Sequence, residues 1–156
     1  MSVESFVVNV TSPVGPFAVV GTREGVEAIY LPSERWRASR GDAPAAVAKA
    51  AAQLREYFHG SRRYFDLALA PVAATEFQRE VWSAVAAIPY GQVRTYGEVA
   101  GDVRRPFAAR AVGNAAHVNP WPIVVPCHRV VGANSLGGYG GGEEIKRFLL
   151  ELEGVL

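Results

Sequence analysis

Three short stretches near the start of the chain are predominantly apolar, with an imperfect alternation of apolar and polar positions. Residues 6–10, 17–20 and 26–31 are rich in β-branched and aromatic side chains, and turn-forming residues separate them. This pattern predicts a small antiparallel sheet of three strands. A fourth stretch of the same kind, residues 64–69, predicts one further strand.

In other parts of the chain the apolar residues have the spacing of an α-helix. It predicts an alanine-rich helix over residues 45–58, directly after a proline suited to the first helical turn. Residues 32–44 carry three arginines without apolar periodicity and predict a solvated loop. Thr75 and Thr95 are each followed three residues later by Gln or Glu, which predicts two capping boxes. The second half of the chain thus contains predicted helices over residues 76–88, 96–103, 107–117 and 143–153.

These elements predict an α/β protein with two domains. Residues 1–70 form a sheet-and-helix domain of structural role, and residues 71–156 form a mainly helical domain with a helix-turn-helix over residues 96–117. The second helix of that motif consists of small residues, with Arg110 as its one long side chain. Such a helix can approach a nucleic-acid backbone closely and push one arginine between bases. The alternative is an alanine-rich core helix with Arg110 in a structural ion pair.

The single cysteine follows a short apolar run, residues 123–125, that predicts a buried strand. Pro126 has no N–H and would end that strand, which places Cys127 at its edge, beside His128 and Arg129. A thiol beside an imidazole and a guanidinium can have a stabilised thiolate. The alternative is that Cys127 is a small buried apolar side chain. Glu153, near the end of the last predicted helix, is a candidate to fold back onto this site.

The composition of the chain limits the classes of protein to which it can belong. Hydrophobic content of 49% with 20% charged residues is globular, and a net charge of +1 provides no global basic field. Any nucleic-acid contact must therefore come from a local patch. One cysteine cannot form an internal disulfide, no signal peptide is evident, and no apolar run approaches about 18 residues, which together predict a cytoplasmic protein without a membrane span. The cysteine and three separated histidines do not predict a zinc site.

The chain resembles the O6-alkylguanine-DNA alkyltransferases, also called methylated-DNA–protein-cysteine methyltransferases. Residues 126–130 (PCHRV) resemble the active-site signature of that family, with 119–120 (NP) and 109–113 (ARAVG) before it at the family's spacing. Residues 75–78 (TEFQ), 88–91 (IPYG) and 95–98 (TYGE) also match. The resemblance is strong over residues 75–153 and looser before them. One departure adds charge, because Arg104 stands at a turn position where the family often has glycine.

The resemblance implies a DNA-repair function. The partner would be double-stranded DNA containing O6-alkylguanine, with O4-alkylthymine left open, bound through the minor groove with the damaged base flipped into a pocket. Cys127 would attack the alkyl carbon, and His128, oriented by Glu153, would take the thiol proton through a water. Because the product thioether has no easy exit, the protein would react once. It would need no metal or organic cofactor, and it would act as a monomer, with cooperative binding on DNA left open.

The resemblance also assigns the other site residues. Tyr96 would donate a hydrogen bond to the leaving guanine, Arg110 would fill the gap left by the flipped base, and Asn119 would brace the recognition helix against the active-site strand. Further substrate-binding residues would be Val130, Tyr139, Gly140 and Trp82. The DNA-binding set would be Thr95, Tyr96, Ala109, Arg110, Ala111, Gly113 and Arg129.

Three other functions are alternatives for a chain with these residues. A binding-only member of the same superfamily would lack the acceptor cysteine, which Cys127 supplies. A helix-turn-helix regulator is disfavoured by the small residues of the recognition helix and by the lack of an evident dimerisation segment. A cysteine hydrolase normally takes its cysteine and histidine from distant parts of the chain.

Overall fold

The computed structural model describes residues 4–33 and 36–156. It is an α/β structure whose chain divides into two compact units, Met1–Val72 and Ala73–Leu156. None of the helices within the described residues is both long and apolar enough to cross a membrane.

The first unit is a three-stranded antiparallel sheet with one helix. Its strands β1 (Phe6–Val10), β2 (Phe17–Thr22) and β3 (Gly25–Tyr30) pair in the order β1-β2-β3. The helix α1 (Ala45–Phe58) packs against the sheet. These three strands and this helix confirm the elements that the hydrophobic pattern predicts. The described part of residues 32–44 contains no helix or strand, as predicted, although Arg35 lies outside the described residues.

The predicted strand over residues 64–69 is wrong. Only Leu69 forms a bridge, with Val26 at the sheet edge. At Asp66 the side chain of Gln53 on α1 takes both backbone hydrogen bonds, since it donates to the Asp66 carbonyl (3.2 Å) and accepts from the Asp66 N–H (3.0 Å). Val26 pairs with the end of the segment, donating to the Ala68 carbonyl and accepting from the Ala70 N–H, so the pairing is a single bridge rather than a strand.

The second unit consists of four helices around a very small parallel sheet. Its helices are α2 (Glu76–Ala86), α3 (Tyr96–Asp102), α4 (Ala109–His117) and α5 (Glu143–Leu152). The strands β4 (Arg94–Thr95) and β5 (Val130–Val131) pair in parallel. Both capping boxes are confirmed, Thr75 with Gln78 on α2 and Thr95 with Glu98 on α3. Helix α4 begins two residues later than predicted, because Pro106 and Phe107 lie in the preceding turn.

The predicted strand before the cysteine is also wrong. Ile123 has a φ of 76°, in the left-handed region, and the Val125 N–H donates to the Trp121 carbonyl at 2.8 Å. Prolines at 120, 122 and 126 remove the N–H groups that a ladder needs. The apolar residues instead fold into a buried turn, and Cys127–Arg129 form a single turn of 3-10 helix.

Candidate active site

Cys127 lies on that 3-10 turn with only 9% of its surface exposed. Burial raises the pKa of the Cys127 thiol, while a hydrogen bond from Asn119 and the positive charge of Lys146 act in the opposite direction. The resting site therefore holds a thiol rather than the stabilised thiolate that the neighbouring residues suggest. A nucleophile in this state needs a base to remove its proton.

His128 is completely buried and paired with a carboxylate. Its Nε2 lies 2.6 Å from Oε2 of Glu153, 25 residues further along the chain. Burial lowers the pKa of His128, with Glu153 opposing the effect, so the imidazole is neutral. In that form Nε2 carries the hydrogen and donates it to the carboxylate. Nδ1 is then a free base, and it is buried without a hydrogen-bond partner among the described residues.

Glu153 is held from three sides. Arg129 donates from Nε to Oε1 at 2.8 Å and from Nη2 to Oε2 at 3.0 Å, and the Gly91 N–H donates to Oε1 at 3.2 Å. Arg129 also donates to the Ile88 carbonyl at 2.7 Å. The assignment of Arg129 to DNA binding is therefore wrong. Its side chain is buried and its charge is matched by Glu153, because a carboxylate at the end of α5 satisfies the guanidinium inside the protein.

Asn119 links the end of α4 to the cysteine segment. Its Nδ2 donates to the Val125 carbonyl at 2.8 Å, and its Oδ1 accepts from the Trp121 N–H at 2.9 Å. These bonds hold the turn that carries Cys127 at a set distance from α4.

Tyr96, the first residue of α3, lies against the glycine-rich loop. Its hydroxyl donates to the Gly138 carbonyl at 3.3 Å, and burial raises its pKa. A Cβ on Gly137 would lie 2.7 Å from the Tyr96 ring and hydroxyl, and a Cβ on Gly113 would lie 3.7 Å from the ring. Glycine at 137 is thus what allows the loop to reach the tyrosine.

Lys146 matches the family's C-terminal pattern, but no role at the site was predicted for it from the sequence. Its side chain is buried, and Nζ donates to the carbonyls of Val130 (2.6 Å) and Gly138 (3.1 Å). Burial lowers its pKa to about 8. A lysine three and four residues before Leu149 and Leu150, on the apolar face of α5, is the sequence signal that could have found it. Nothing in the sequence distinguishes Gly137 from the glycines around it.

The predicted substrate-binding residues separate into two groups. Val130 is buried with its carbonyl bound by Lys146, Tyr139 is half-buried beside the cysteine, and Gly140 is exposed on the same loop. Burial, and then the charge of a Cys127 thiolate, raises the pKa of Tyr139 well above its usual value. The assignment of Trp82 to substrate binding is wrong. Trp82 is a core residue of α2 that packs against Trp121 and donates to the Ala115 carbonyl of α4 at 2.8 Å.

Apart from Arg129, the predicted DNA-binding residues lie at the start of α3 and on α4. Helix α4 buries Val112 and Ala115 against the unit, while Arg110 and Ala111 are exposed and Ala109 and Gly113 are half-exposed. The Thr95 hydroxyl caps α3 by accepting from the Glu98 N–H at 3.0 Å. This face therefore presents one long cation on a helix of small residues.

A buried thiol, a neutral histidine base and a carboxylate that orients it define a protein of the covalent-transfer class, in which the cysteine is the acceptor. Comparison with known proteins identifies the family. A family model described as "6-O-methylguanine DNA methyltransferase, DNA binding domain" matches residues 76–155. The chain belongs to the methylated-DNA–protein-cysteine methyltransferase family.

Relatives span nearly the whole chain. The methylated-DNA–protein-cysteine methyltransferase of Methanosarcina acetivorans is 45% identical over 148 residues, covering 92% of this chain and 94% of that protein. The crystal structure of Mycobacterium tuberculosis O6-methylguanine methyltransferase has a TM-score of 0.83 and 42% identity, covering 96% of this chain and 93% of that one. A structure of the M. tuberculosis protein in complex with DNA has a TM-score of 0.82 and 44% identity, covering 93% of this chain and 90% of that one.

Proposed function

We propose that this protein repairs DNA by direct reversal, transferring the alkyl group of O6-alkylguanine in duplex DNA irreversibly to Cys127. The observation that carries the proposal is the buried Cys127 beside the His128–Glu153 pair, in a domain that matches the family model over residues 76–155. The curated relatives bear the name of this activity, and a homologue has been crystallised with DNA.

The chemical step exchanges one proton for one alkyl group. Nδ1 of His128 takes the thiol proton through a water, and Glu153 stabilises the imidazolium that forms. The sulfur then forms a bond to the alkyl carbon as the carbon–O6 bond breaks. The guanine leaves with the electron pair, assisted by a hydrogen bond from the Tyr96 hydroxyl, and regains one proton. The thioether is stable, so each molecule reacts once.

The DNA-binding step uses α3 and α4 as a helix-turn-helix. The O6 atom is out of reach of a buried nucleophile while guanine is stacked, so the nucleotide must leave the helix to react. The small residues of α4 allow close approach to the duplex, and Arg110 fills the gap left by the flipped base. Asn119 and Lys146 hold the pocket wall in place through the carbonyls of Val125, Val130 and Gly138.

Intact mass spectrometry tests the proposal. The wild-type protein and Cys127→Ser are each incubated with a duplex that contains one O6-methylguanine. We expect one added methyl group per wild-type molecule, mapped to Cys127, and none on the variant. Tight binding without a mass change would instead indicate a recognition protein, and no binding would overturn the proposal.

A further inference from the structure

The turn between α3 and α4, residues 103–108, presents a phenylalanine to solvent. Phe107 is fully exposed, at 101% of its reference surface, the highest value among the exposed large hydrophobic residues of the described chain. The Ala108 N–H donates to the Arg105 carbonyl at 2.9 Å, which closes a β-turn with Pro106 and Phe107 at its centre. The ring thus stands at the tip of a hydrogen-bonded turn directly before α4.

This turn is attached to α2 by the side chain of Arg105. The guanidinium forms an ion pair with Glu80, donates to the Val103 carbonyl at 3.2 Å and lies 5.3 Å from the centre of the Phe77 ring. Phe107 is therefore displayed from an anchored segment. A phenylalanine left in water forgoes the stabilisation that burial of its ring would contribute.

Arg104 provides a second, independent anomaly in the same turn. Its φ is 61°, and it follows the end of α3 in a Schellman motif, with Arg104 N–H bonded to the Gly101 carbonyl and Arg105 N–H to the Ala100 carbonyl. Glycine is the usual residue at this position, because a residue with a Cβ is sterically strained there. A strained residue that persists at a surface is a reason to seek a function for its side chain.

The charges around Phe107 indicate what it contacts. Arg104 and Arg110 are exposed on either side of it in the sequence, and neither forms an ion pair with any described residue. An apolar ring between two unpaired cations complements a surface that alternates negative charge with flat apolar faces. The phosphates, sugars and base edges of a nucleic-acid duplex have this composition.

We propose that Phe107 and Arg104 form a second DNA contact beside Arg110, which we call the turn contact. Phe107 packs on the sugars and base edges of the minor groove next to the flipped nucleotide, and Arg104 contacts a phosphate. The turn contact increases affinity for the duplex without touching the reacting atoms. It rests on the proposed function, because it assumes that α4 faces DNA.

Two variants that should differ in the salt dependence of DNA binding test the turn contact. Phe107→Ala should weaken binding to an undamaged duplex about 5- to 10-fold, with the salt dependence unchanged, because no charge is lost. Arg104→Gly should bind more weakly and reduce the slope of log affinity against log salt by about 1, while its melting temperature rises because glycine relieves the strained φ. Phe107→Tyr should restore most of the affinity lost in Phe107→Ala.

Matched controls separate this proposal from the proposed function. Tyr64→Ala removes another exposed aromatic ring, in the first unit, and Arg23→Ala removes an exposed arginine there; neither should change DNA affinity. All five variants should react at the wild-type rate with free O6-benzylguanine, which bypasses DNA. Wild-type affinity in both Phe107→Ala and Arg104→Gly, or slower reaction with the free base, would overturn the turn contact. Failure of the wild-type protein to bind or dealkylate the duplex would overturn the proposed function instead.

Discussion

At the scale of single residues, Glu153 determines the protonation of the site. One carboxylate accepts hydrogen bonds from His128, Arg129 and the Gly91 N–H. It holds the His128 hydrogen on Nε2, which leaves Nδ1 as the base. It also neutralises Arg129, so that this guanidinium does little to stabilise a thiolate at Cys127.

Replacing Glu153 tests this dependence. Glu153→Gln should lower the free energy of unfolding by about 3–5 kcal/mol, because it leaves the buried Arg129 charge unmatched. It should also slow reaction with O6-benzylguanine, because His128 loses its orienting anion. Urea unfolding and single-turnover kinetics on the folded protein measure the two effects. Glu151→Gln, an exposed carboxylate on α5, is the control; an unchanged rate in Glu153→Gln would show that His128 does not act through Glu153.

The pH dependence of the rate follows from the lowered pKa of His128 and the raised pKa of Cys127. Wild-type alkyl transfer should stay level from alkaline pH down through the ordinary histidine range, and fall only at lower pH, where His128 is protonated. His128→Gln has no base, so its rate should be low near neutrality and rise only where the thiol ionises. The free energy of unfolding should also fall as the pH falls, because the unfolded state binds the His128 proton at higher pH than the native state does. Parallel profiles for the two proteins would contradict the assignment of His128 as the base.

Gly137 offers a second test at this scale. Gly137→Ala places a Cβ within 2.7 Å of Tyr96 at a φ of 77°, so the loop or the tyrosine must move. We expect a loss of at least about tenfold in the rate of alkyl transfer, since a hydrogen-bond donor in the transition state is displaced. Gly138→Ala is the matched control, because a Cβ there has no atom within 4 Å. Equal rates in the two variants would show that the position of Tyr96 is unimportant.

At the scale of elements, the ends of α2 and α3 follow from local chemistry. Each capping box lies within four consecutive residues, so the sequence predicts it without knowledge of the fold. Helix α4 differs, because its start depends on the turn that Pro106 and Phe107 form and on the anchoring of Arg105 to α2. What α4 presents to a partner is set by its small residues and by Arg110.

Replacing Arg110 tests the role of α4 in DNA binding. Arg110→Ala should weaken duplex binding, reduce its salt slope by about 1 and slow repair in DNA, because one cation is lost from the exposed face of α4. The rate with free O6-benzylguanine should not change, since Arg110 is exposed on α4 whereas Cys127 is buried. Fluorescence anisotropy measures duplex binding and its salt slope, and single-turnover kinetics measure the rates with the two substrates. Equal losses with both substrates would contradict this division of labour.

At the scale of the whole molecule, the reaction alters the protein permanently. Cys127 is 9% exposed, so a methyl group on its sulfur enters an already packed site. Overpacking of this kind costs about 1–3 kcal/mol. For a chain of this size the melting temperature of the methylated protein should fall by about 2–4 °C for each kcal/mol. Scanning fluorimetry before and after reaction measures the shift, and Cys127→Ser treated in the same way should show none.

The chain of 156 residues by itself determined the parts of the structure that are built from near neighbours. The three strands, α1, both capping boxes and the adjacency of Cys127 and His128 all depend on interactions within a few residues. The motifs around these residues also sufficed to identify the family. The carboxylate at 153 was expected at the site only from the resemblance and from its place at the end of α5.

Only the tertiary structure decided which groups are buried together. Arg129 looks like an exposed cation until α5 brings Glu153 to it, and Trp82 looks like a pocket residue until α4 accepts its indole N–H. The run at 123–125 has strand composition, but flanking prolines and the packing of Trp121 turn it into a loop. For Arg129 and Trp82 the energy of burial and pairing comes from residues far apart in the chain, and the local pattern does not contain it.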